Sequence, residues 1–173
     1  MAGSILMLSG PVGAGKTTIA AELTTLAPGP TVLIEGDAYW FLIRKADAAQ
    51  SPPRRFRMVM RAMTAAAAQY ARDGYEVILD FSIPPWFLDA LKPLAARAEV
   101  ALHFVAVRPS LAVCEARAAA RAEGKIADYG PYRELYDEFD AAAPHILRDD
   151  TADAATMASM IRDGVDAGRF RLV

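Results

Sequence analysis

Residues 4–17 read SILMLSGPVGAGKT, a short apolar run that leads directly into a glycine-rich segment ending in lysine and threonine. The run Ser4–Ser9 predicts a buried strand, because it is apolar and short. The segment Gly10–Thr17 matches the pattern G-x-x-x-x-G-K-[ST] in full. Glycines in this pattern let the backbone curl, so that successive N–H groups point at phosphate oxygens where a helix begins. The stretch therefore predicts a strand, a phosphate-binding loop and a helix, in that order.

The loop indicates binding of a nucleoside triphosphate together with Mg²⁺. We expect Lys16 to reach the β- and γ-phosphates and the Thr17 hydroxyl group to be a ligand of the ion. The expected nucleotide-binding residues are Gly10, Pro11, Val12, Gly13, Ala14, Gly15, Lys16, Thr17 and Thr18. A chance glycine turn is a poor alternative, since fewer than about one chain in a hundred of this length would match by composition. The motif alone does not distinguish a kinase, a switch and a motor protein.

Outward from the loop, apolar runs alternate with helical patterns. The predicted strands are Ser4–Ser9, Thr31–Glu35, Tyr75–Asp80, Val100–Val107 and His145–Leu147. The predicted helices are Lys16–Leu26, Ala38–Ala46, Arg54–Arg72, Pro84–Arg97, Pro109–Glu123, Pro131–Ala142 and Thr151–Ala167. This alternation predicts one α/β domain over residues 1–173, with a parallel sheet covered by helices on both faces. Ligands bind at the carboxyl ends of such strands, so we expect Gly10, Asp37, Asp80 and Arg108 along one edge.

Asp37 directly follows the second predicted strand, in the segment Glu35-Gly36-Asp37. A carboxylate there would face the γ-phosphate and accept the proton of an attacking hydroxyl group, as a general base does in phosphoryl transfer. Aspartate is also a favoured residue at the start of a helix, so an N-cap is the alternative interpretation. The two roles are compatible, because capping leaves one carboxylate oxygen free.

Asp80 ends the apolar segment Val77-Ile78-Leu79-Asp80. An aspartate in this position commonly holds Mg²⁺ in proteins with a phosphate-binding loop. A cap or a solvated strand end is the alternative. The next residue is Phe81, whereas many motor ATPases have a glutamate there that polarises water. The sequence therefore favours group transfer over ATP hydrolysis.

Arg117 and Arg121 are four residues apart and are expected on one face of a helix. Like charges at this spacing repel each other by a few tenths of a kcal/mol. A polyanion bound between the two arginines would make the net interaction favourable. The glycine-containing segment at about residues 123–131 is predicted to be a short lid. The alternative is a solvated helix in which Glu115 and Glu123 compensate the two arginines.

Further side chains have a functional and a structural interpretation. Arg54, Arg55, Arg57 and Arg61 form a second basic cluster, for which a solvated helix face is favoured over a site for an acidic group. Tyr39, Trp40, Phe41 and Trp86 follow the two strand-end aspartates and would wall an acceptor pocket, although aromatic residues more often pack in the core. Met58, Met60, Met63 and His103 are interpreted as core residues.

The composition excludes several classes of protein. The 19 basic and 21 acidic residues give a formal net charge of −2, which gives no bulk attraction to long nucleic acid or to anionic membranes. Cys114 is the only cysteine, and His103 and His145 are the only histidines, so a disulfide framework and a Cys- or His-rich metal site are excluded. No apolar run is long enough to span a membrane, and no basic leader precedes the first strand. We expect a cytoplasmic protein.

Together these segments resemble the small P-loop kinases, which include shikimate kinase, gluconate kinase, chloramphenicol phosphotransferase and many uncharacterised "AAA-domain" bacterial kinases. The resemblance is carried by Gly10–Thr17, the Glu35-Gly36-Asp37 strand end, the Val77–Asp80 strand end and the arginine pair Arg117 and Arg121, and it extends to Ala167–Phe170. It implies a P-loop NTPase fold with five parallel strands in the order 2-3-1-4-5. It also implies that Lys16 and Thr17 hold ATP and Mg²⁺, that Asp37 is the base on the acceptor side, and that Arg117 and Arg121 clamp phosphates or the adenine.

The sequence departs from shikimate kinase at two places. Glu35 stands where that enzyme has a second aspartate, and the segment Phe81-Ser82-Ile83-Pro84-Pro85 replaces its glycine-rich binding segment. The sequence therefore predicts an ATP- and Mg²⁺-dependent phosphotransferase that acts on a hydroxyl group of some other small molecule. The alternatives are a nucleoside or nucleic-acid 5′-hydroxyl kinase, in which the Arg54–Arg61 cluster binds a phosphate backbone, and a non-catalytic nucleotide-binding switch.

Overall fold

The computed structural model describes residues 3–45, 47, 49–122 and 124–173. Its centre is a five-stranded parallel sheet with the strand order β2-β3-β1-β4-β5. The strands are β1 (Ser4–Ser9), β2 (Thr31–Glu35), β3 (Glu76–Asp80), β4 (Ala101–Val107) and β5 (Ile146–Leu147). In register, Leu6 of β1 lies opposite Ile78 of β3 and His103 of β4. The predicted α/β class and the order 2-3-1-4-5 are confirmed.

In the described part of the chain, seven α-helices connect and cover the strands. They are α1 (Lys16–Leu26), α2 (Gly36–Phe41), α3 (Pro52–Arg72), α4 (Leu88–Ala98), α5 (Leu111–Ala119), α6 (Arg133–Glu138) and α7 (Ala154–Asp166). Short 3₁₀ turns lie at Pro85–Phe87, Gly130–Tyr132 and Phe139–Ala142. Within the described ranges, no helix is both long enough and apolar enough to cross a membrane.

The core lies on both faces of the sheet, because successive side chains of a strand point to opposite sides. Ile5 and Met7 of β1 join a cluster that includes residues of α3 and α4. Leu6 and Leu8 of the same strand join a second cluster with residues of α1 and α7. These four apolar side chains of β1 are completely buried. The continuous apolar character of the strands thus reflects helices on both faces, as predicted.

The second helix differs from its prediction at both ends. It begins at Gly36, directly after β2, and ends at Phe41, whereas the sequence pattern predicts Ala38–Ala46. Gly36 packs closely against Phe81 here, since a Cβ atom on it would lie 2.4 Å from that ring. At the other end, the Ile43 N–H group donates to the Trp40 carbonyl, which tightens the last turn and closes the helix. The predicted end at Ala46 lies outside the described residues.

Three further predictions are corrected. The segment Pro131–Ala142 is one turn of α-helix between two 3₁₀ turns rather than one helix. The terminal helix begins at Ala154 because Asp153 caps it through its side chain, which accepts a hydrogen bond from Thr156. Met58 is 44% exposed, while Met60 and Met63 are completely buried. The three methionines cannot share a face, because two helical residues turn the chain by about 200°.

Candidate active site

The loop Gly10–Thr17 turns sharply between β1 and α1, as its glycines require. Gly10 has a φ of 142° and Gly13 a φ of 83°, both in a region that side chains disfavour. A Cβ atom on Gly10 would lie 2.2 Å from the Val107 carbonyl oxygen, and one on Gly13 would lie 2.2 Å from that of Cys114. The N-terminal end of α1 has no side-chain cap among the described residues. Its N–H groups are therefore directed at the space inside the loop, where an anion binds.

Lys16 folds back over this loop. Its Nζ atom donates a hydrogen bond to the carbonyl oxygen of Pro11, at 2.9 Å. Burial lowers the pKa of Lys16 to about 8, and the nearby carboxylate of Asp80 partly opposes this shift. The result is a partly buried cation at the position where phosphate oxygens are expected.

Thr17 and Asp80 are joined directly. The Thr17 hydroxyl group donates to Asp80 Oδ2 at 2.7 Å. Asp80 is only 7% exposed, so it is neither a helix cap nor a solvated strand end. Burial raises its pKa, while the hydrogen bond from Thr17 and the charge of Lys16 act in the opposite direction.

The second carboxylate oxygen of Asp80, Oδ1, is buried and has no hydrogen-bond partner in the described part of the chain. An unpaired carboxylate oxygen beside a threonine hydroxyl group fits Mg²⁺, which prefers oxygen ligands. The described residues contain no cluster of three or more metal-binding side chains. A magnesium site usually has one or two protein ligands and is completed by substrate phosphates and water.

Asp37 lies in the first turn of α2, not at its cap. The N-cap residue of that helix is Glu35, and neither side chain makes a capping hydrogen bond. The cap interpretation of Asp37 is therefore wrong. Its exposed carboxylate is free to face the space between β2 and the phosphate-binding loop.

Two adjoining cavities meet at Asp37. The phosphate-side cavity has a volume of about 400 Å³ and is lined by Gly13, Gly15, Lys16, Thr17, Thr18, Asp37, Arg117 and Arg121. The acceptor-side cavity has a volume of about 440 Å³ and extends from the loop to the ends of β2 and β3. Its lining residues are Val12, Lys16, Thr17, Glu35, Gly36, Asp37, Trp40, Phe56, Asp80, Phe81, Ser82, Arg121, Tyr132 and Leu135. Lys16, Thr17, Asp37 and Arg121 line both cavities.

Arg117 and Arg121 reach the phosphate-side cavity from different elements. Helix α5 ends at Ala119, so the prediction of one shared helix face is wrong. The helix ends early because the chain folds back, and the Ile126 N–H group donates to the Ala118 carbonyl. Glu115 does not compensate the two arginines, since it pairs with Arg133 at 2.6 Å. The other predicted compensating residue, Glu123, lies outside the described residues.

The described part of the predicted lid, residues 124–131, contacts the phosphate-binding loop. The hydroxyl group of Tyr129 donates to the carbonyl oxygen of Val12 at 2.7 Å. Tyr129 is 6% exposed, and burial raises its pKa above the usual range. The sequence contained no signal for this contact, because it joins residues that are 117 positions apart.

Arg108 lies at the end of β4, on the predicted edge, but its guanidinium group is engaged elsewhere. It donates to Asp140 at 2.9 Å and lies 4.0 Å from the centre of the Tyr136 ring. Arg108 lines neither of the two cavities that meet at Asp37. We therefore assign it to the packing of α6 rather than to the site.

A third cavity of about 210 Å³ lies on the far side of the loop. It is lined by Ala14, Gly15, Thr18, Ile19, Val107, Pro109, Arg117, Asp149, Ala152, Asp153, Ala154 and Met157. Most of these residues were not singled out in the sequence, because the loop after β5 has no motif. Arg117 and Gly15 connect this cavity with the phosphate-side cavity.

Only one of the four predicted aromatic wall residues lines the acceptor-side cavity. Trp40 does so, together with Phe56 and Phe81. Phe41 is 72% exposed, and Trp86 is 53% exposed with its ring nitrogen bonded to Glu138. The remaining residue, Tyr39, lies along a groove beside Ile34 and Tyr70. His103 is buried as predicted, and burial lowers its pKa.

The basic cluster after Pro53 lies outside the site. Arg54, Arg57 and Arg61 are exposed on α3, and Arg55 donates to the Gln50 carbonyl. None of the four lines the phosphate-side or acceptor-side cavity. The solvated-face interpretation agrees with these positions.

Comparison with known proteins places this geometry in a family. A family model described as an AAA domain, AAA_33, matches residues 5–137. The tunicamycin resistance protein of Deinococcus radiodurans is 19% identical over 99% of both chains, with a TM-score of 0.73. The APS kinase CysC of Mycobacterium tuberculosis, solved with AMPPNP and APS, is 20% identical over 95% of this chain and 98% of its own, with a TM-score of 0.68.

A gluconokinase from Sinorhizobium meliloti is 17% identical over 96% of this chain and 97% of its own, with a TM-score of 0.57. No curated protein matches the sequence significantly. The solved structures share the fold, and the family model covers more than two thirds of the chain. The chain therefore belongs to the AAA domain family AAA_33 and has the fold of the P-loop kinases, as its motifs suggested.

Proposed function

We propose that the protein is an ATP- and Mg²⁺-dependent phosphotransferase that moves the γ-phosphate to a hydroxyl group of a small molecule. The observation that carries the proposal is the position of Asp37, a carboxylate on the boundary between the phosphate-side and acceptor-side cavities. A general base must reach the acceptor hydroxyl group while that group faces the γ-phosphorus. The family and the fold support the same reaction class.

In this proposal the nucleotide occupies the loop, the phosphate-side cavity and the third cavity. The backbone N–H groups of Val12–Thr18 and the Lys16 ammonium group bind the phosphates, and the nucleotide base lies in the third cavity, beside Arg117. Thr17 and Asp80 hold Mg²⁺. When bound there, the ion neutralises charge on the β- and γ-phosphate oxygens.

Asp37 receives the proton in the transfer step. A bond forms between the acceptor oxygen and the γ-phosphorus while the bond from that phosphorus to the β,γ-bridging oxygen breaks. The bridging oxygen keeps the electron pair and leaves as part of ADP, and the hydroxyl proton passes to the Asp37 carboxylate. Lys16, Arg117 and Arg121 stabilise the negative charge on the transferring group, and residues 124–131 exclude water. The products are ADP and a phosphate monoester.

The two alternatives receive less support. A nucleic-acid 5′-hydroxyl kinase would use the Arg54–Arg61 cluster, but Arg54, Arg57 and Arg61 are exposed and lie outside the acceptor-side cavity. A nucleotide-binding switch needs no acceptor site, whereas this fold has a second cavity with a carboxylate at its boundary.

The proposal is tested by measuring ADP formation from Mg-ATP with sugar acids, polyols, aminoglycosides, amphenicols and nucleosides. We expect one class of acceptor to raise turnover well above the background and to yield a phosphate monoester by mass spectrometry. Lys16→Ala, which removes the cation of the loop, is expected to abolish this turnover. Tight nucleotide binding with no acceptor-dependent turnover in any class would contradict the proposal and favour the switch.

A further inference from the structure

The charges of the acceptor-side cavity are unevenly distributed. Its acidic lining residues are Glu35, Asp37 and Asp80, and its basic ones are Lys16 and Arg121. Both cations also line the phosphate-side cavity, where the triphosphate would engage them. Among the described lining residues, no cation is left for the acceptor. An acceptor with a carboxylate, sulfate or phosphate group would therefore meet uncompensated carboxylates, and like charges repel.

Glu35 and Asp37 present two carboxylates to the same cavity. Glu35 ends β2 and precedes α2, yet its side chain does not cap that helix. Neither carboxylate has a hydrogen bond or ion pair within the described ranges. Asp37 has a role in the proposed transfer, whereas Glu35, two residues away on the acceptor side, has none. A carboxylate in this position attracts a cationic group on the bound molecule.

Another part of the cavity lining is aromatic and apolar. Phe56 and Phe81 stack with their ring centres 6.1 Å apart, and Trp40, Tyr132 and Leu135 complete the wall. Phe81 is 8% exposed, so its position is fixed by packing. Such a wall binds an apolar or aromatic body, and aromatic faces also attract ammonium groups.

From these three features we infer that the acceptor is an alcohol with an aromatic or apolar body and a protonated amine near the reacting hydroxyl group. Glu35 binds the amine and selects for it, and the Phe56–Phe81 wall binds the body. The inference rests on the proposed function, because it assumes that this cavity holds the acceptor. It adds to that function a residue that determines specificity, Glu35, and the charge of the acceptor.

Three probes with the same phenyl ring and benzylic hydroxyl group test the charge class. They are 2-amino-1-phenylethanol, which is cationic at neutral pH, 1-phenylethane-1,2-diol, which is neutral, and mandelate, which is anionic. Binding to the protein loaded with Mg²⁺ and AMPPNP is measured by calorimetry, and phosphorylation with Mg-ATP is measured separately. We expect the amine to bind about tenfold more tightly than the diol, the effect of one charge-assisted hydrogen bond, and mandelate to bind more weakly than the diol.

Two variants test the role of Glu35. Glu35→Gln is expected to remove the preference for the amine over the diol while leaving the affinity for the diol within about twofold. Glu22→Gln on α1 is the matched control, since Glu22 does not line this cavity, and it is expected to retain the preference. AMPPNP affinity serves as the check that both variants fold.

Each outcome decides the inference. Equal or tighter binding of the diol or mandelate, an unchanged preference in Glu35→Gln, or no binding of any probe would overturn it. Phosphorylation of the diol or mandelate in preference to the amine would overturn it and leave the proposed function standing. Selective binding of the amine that depends on Glu35 supports the charge class. If that binding occurs without phosphate transfer to any probe or panel compound, the proposed function fails instead.

Discussion

Lys16 lies in the phosphate-binding loop and has a lowered pKa. Its ammonium group is partly buried and bonded to a neutral carbonyl oxygen, and desolvation lowers its pKa to about 8. A bound triphosphate would surround the same group with negative charge, which favours the charged form. Nucleotide binding and protonation of Lys16 are therefore linked, because each favours the other.

This linkage predicts how nucleotide affinity changes with pH. Because the pKa of Lys16 is about 8 in the free protein and higher when phosphate is bound, affinity is constant below pH 8. Above that value affinity falls by up to about tenfold per pH unit, since binding must then take up a proton. Calorimetry with Mg-AMPPNP between pH 6.5 and 9.5 measures the effect. Lys16→Ala removes the titrating group and is expected to give a weaker, flat profile; an equally steep fall in that variant would contradict the assignment to Lys16.

At the scale of elements, the phosphate-binding loop is confined between neighbouring segments. Helix α5 approaches Gly13 so closely that a Cβ atom would overlap the Cys114 carbonyl oxygen, and Tyr129, which packs with Cys114, bonds to the neighbouring Val12. The loop therefore gains its shape from the packing of α5 and the lid segment as well as from its own glycines.

Replacement of Gly13 tests this confinement. Gly13→Ala combines a left-handed backbone with a contact at 2.2 Å and is expected to lower the free energy of unfolding by about 2–4 kcal/mol. Gly29→Ala is the matched control: Gly29 has no backbone strain of this kind and no atom within 4 Å of its Cβ position. The control is expected to change stability by no more than about 1 kcal/mol. Denaturant unfolding measures both, and equal stability of the two variants would refute the role of close packing.

Some of these elements could be predicted from sequence and others could not. Each predicted strand corresponds to an observed one, because apolar runs between glycine and proline breakers carry a local signal. The early end of α5 had no such signal, since it depends on a hydrogen bond from Ile126 to the Ala118 carbonyl. Phe56 and Tyr129 were missed for the same reason: only the tertiary fold brings them to the site. Asp37 and Asp80 could be proposed from sequence because Asp80 ends a strand and Asp37 follows one.

At the scale of the whole molecule, a largely buried ion pair joins the terminal helix to the sheet. Arg162 of α7 and Glu76 of β3 lie 2.6 Å apart, with side chains only 14% and 12% exposed. Glu76 is at the amino end of its strand, and Asp80 of the active site is at the carboxyl end. The pair is thus a structural contact at the opposite end of β3 from the carboxyl-end cavities.

Loss of this pair is expected to affect stability and leave nucleotide binding intact. Glu76→Gln leaves Arg162 buried without a charged partner, which costs about 3 kcal/mol of unfolding free energy. The control is Asp89→Asn, which removes the exposed pair with Lys92, and is expected to cost less than about 1 kcal/mol. Guanidinium unfolding gives the stabilities, and a nucleotide titration of each folded variant gives the affinity. A large loss of nucleotide affinity in Glu76→Gln would contradict the separation of the two regions.

The most direct test of the central claim compares binding and transfer in Asp37→Asn. The variant keeps the size of the side chain and removes the proton acceptor, and Asp37 is not needed for the fold because it caps no helix. We predict that acceptor-dependent ADP formation falls by about 10²–10⁴-fold, the usual contribution of a general base. Mg-AMPPNP affinity is predicted to stay within about threefold of the wild-type value. Loss of one charge-assisted hydrogen bond would cause a larger change. Turnover at the wild-type rate, or loss of turnover only in proportion to lost nucleotide affinity, would contradict a catalytic role for Asp37.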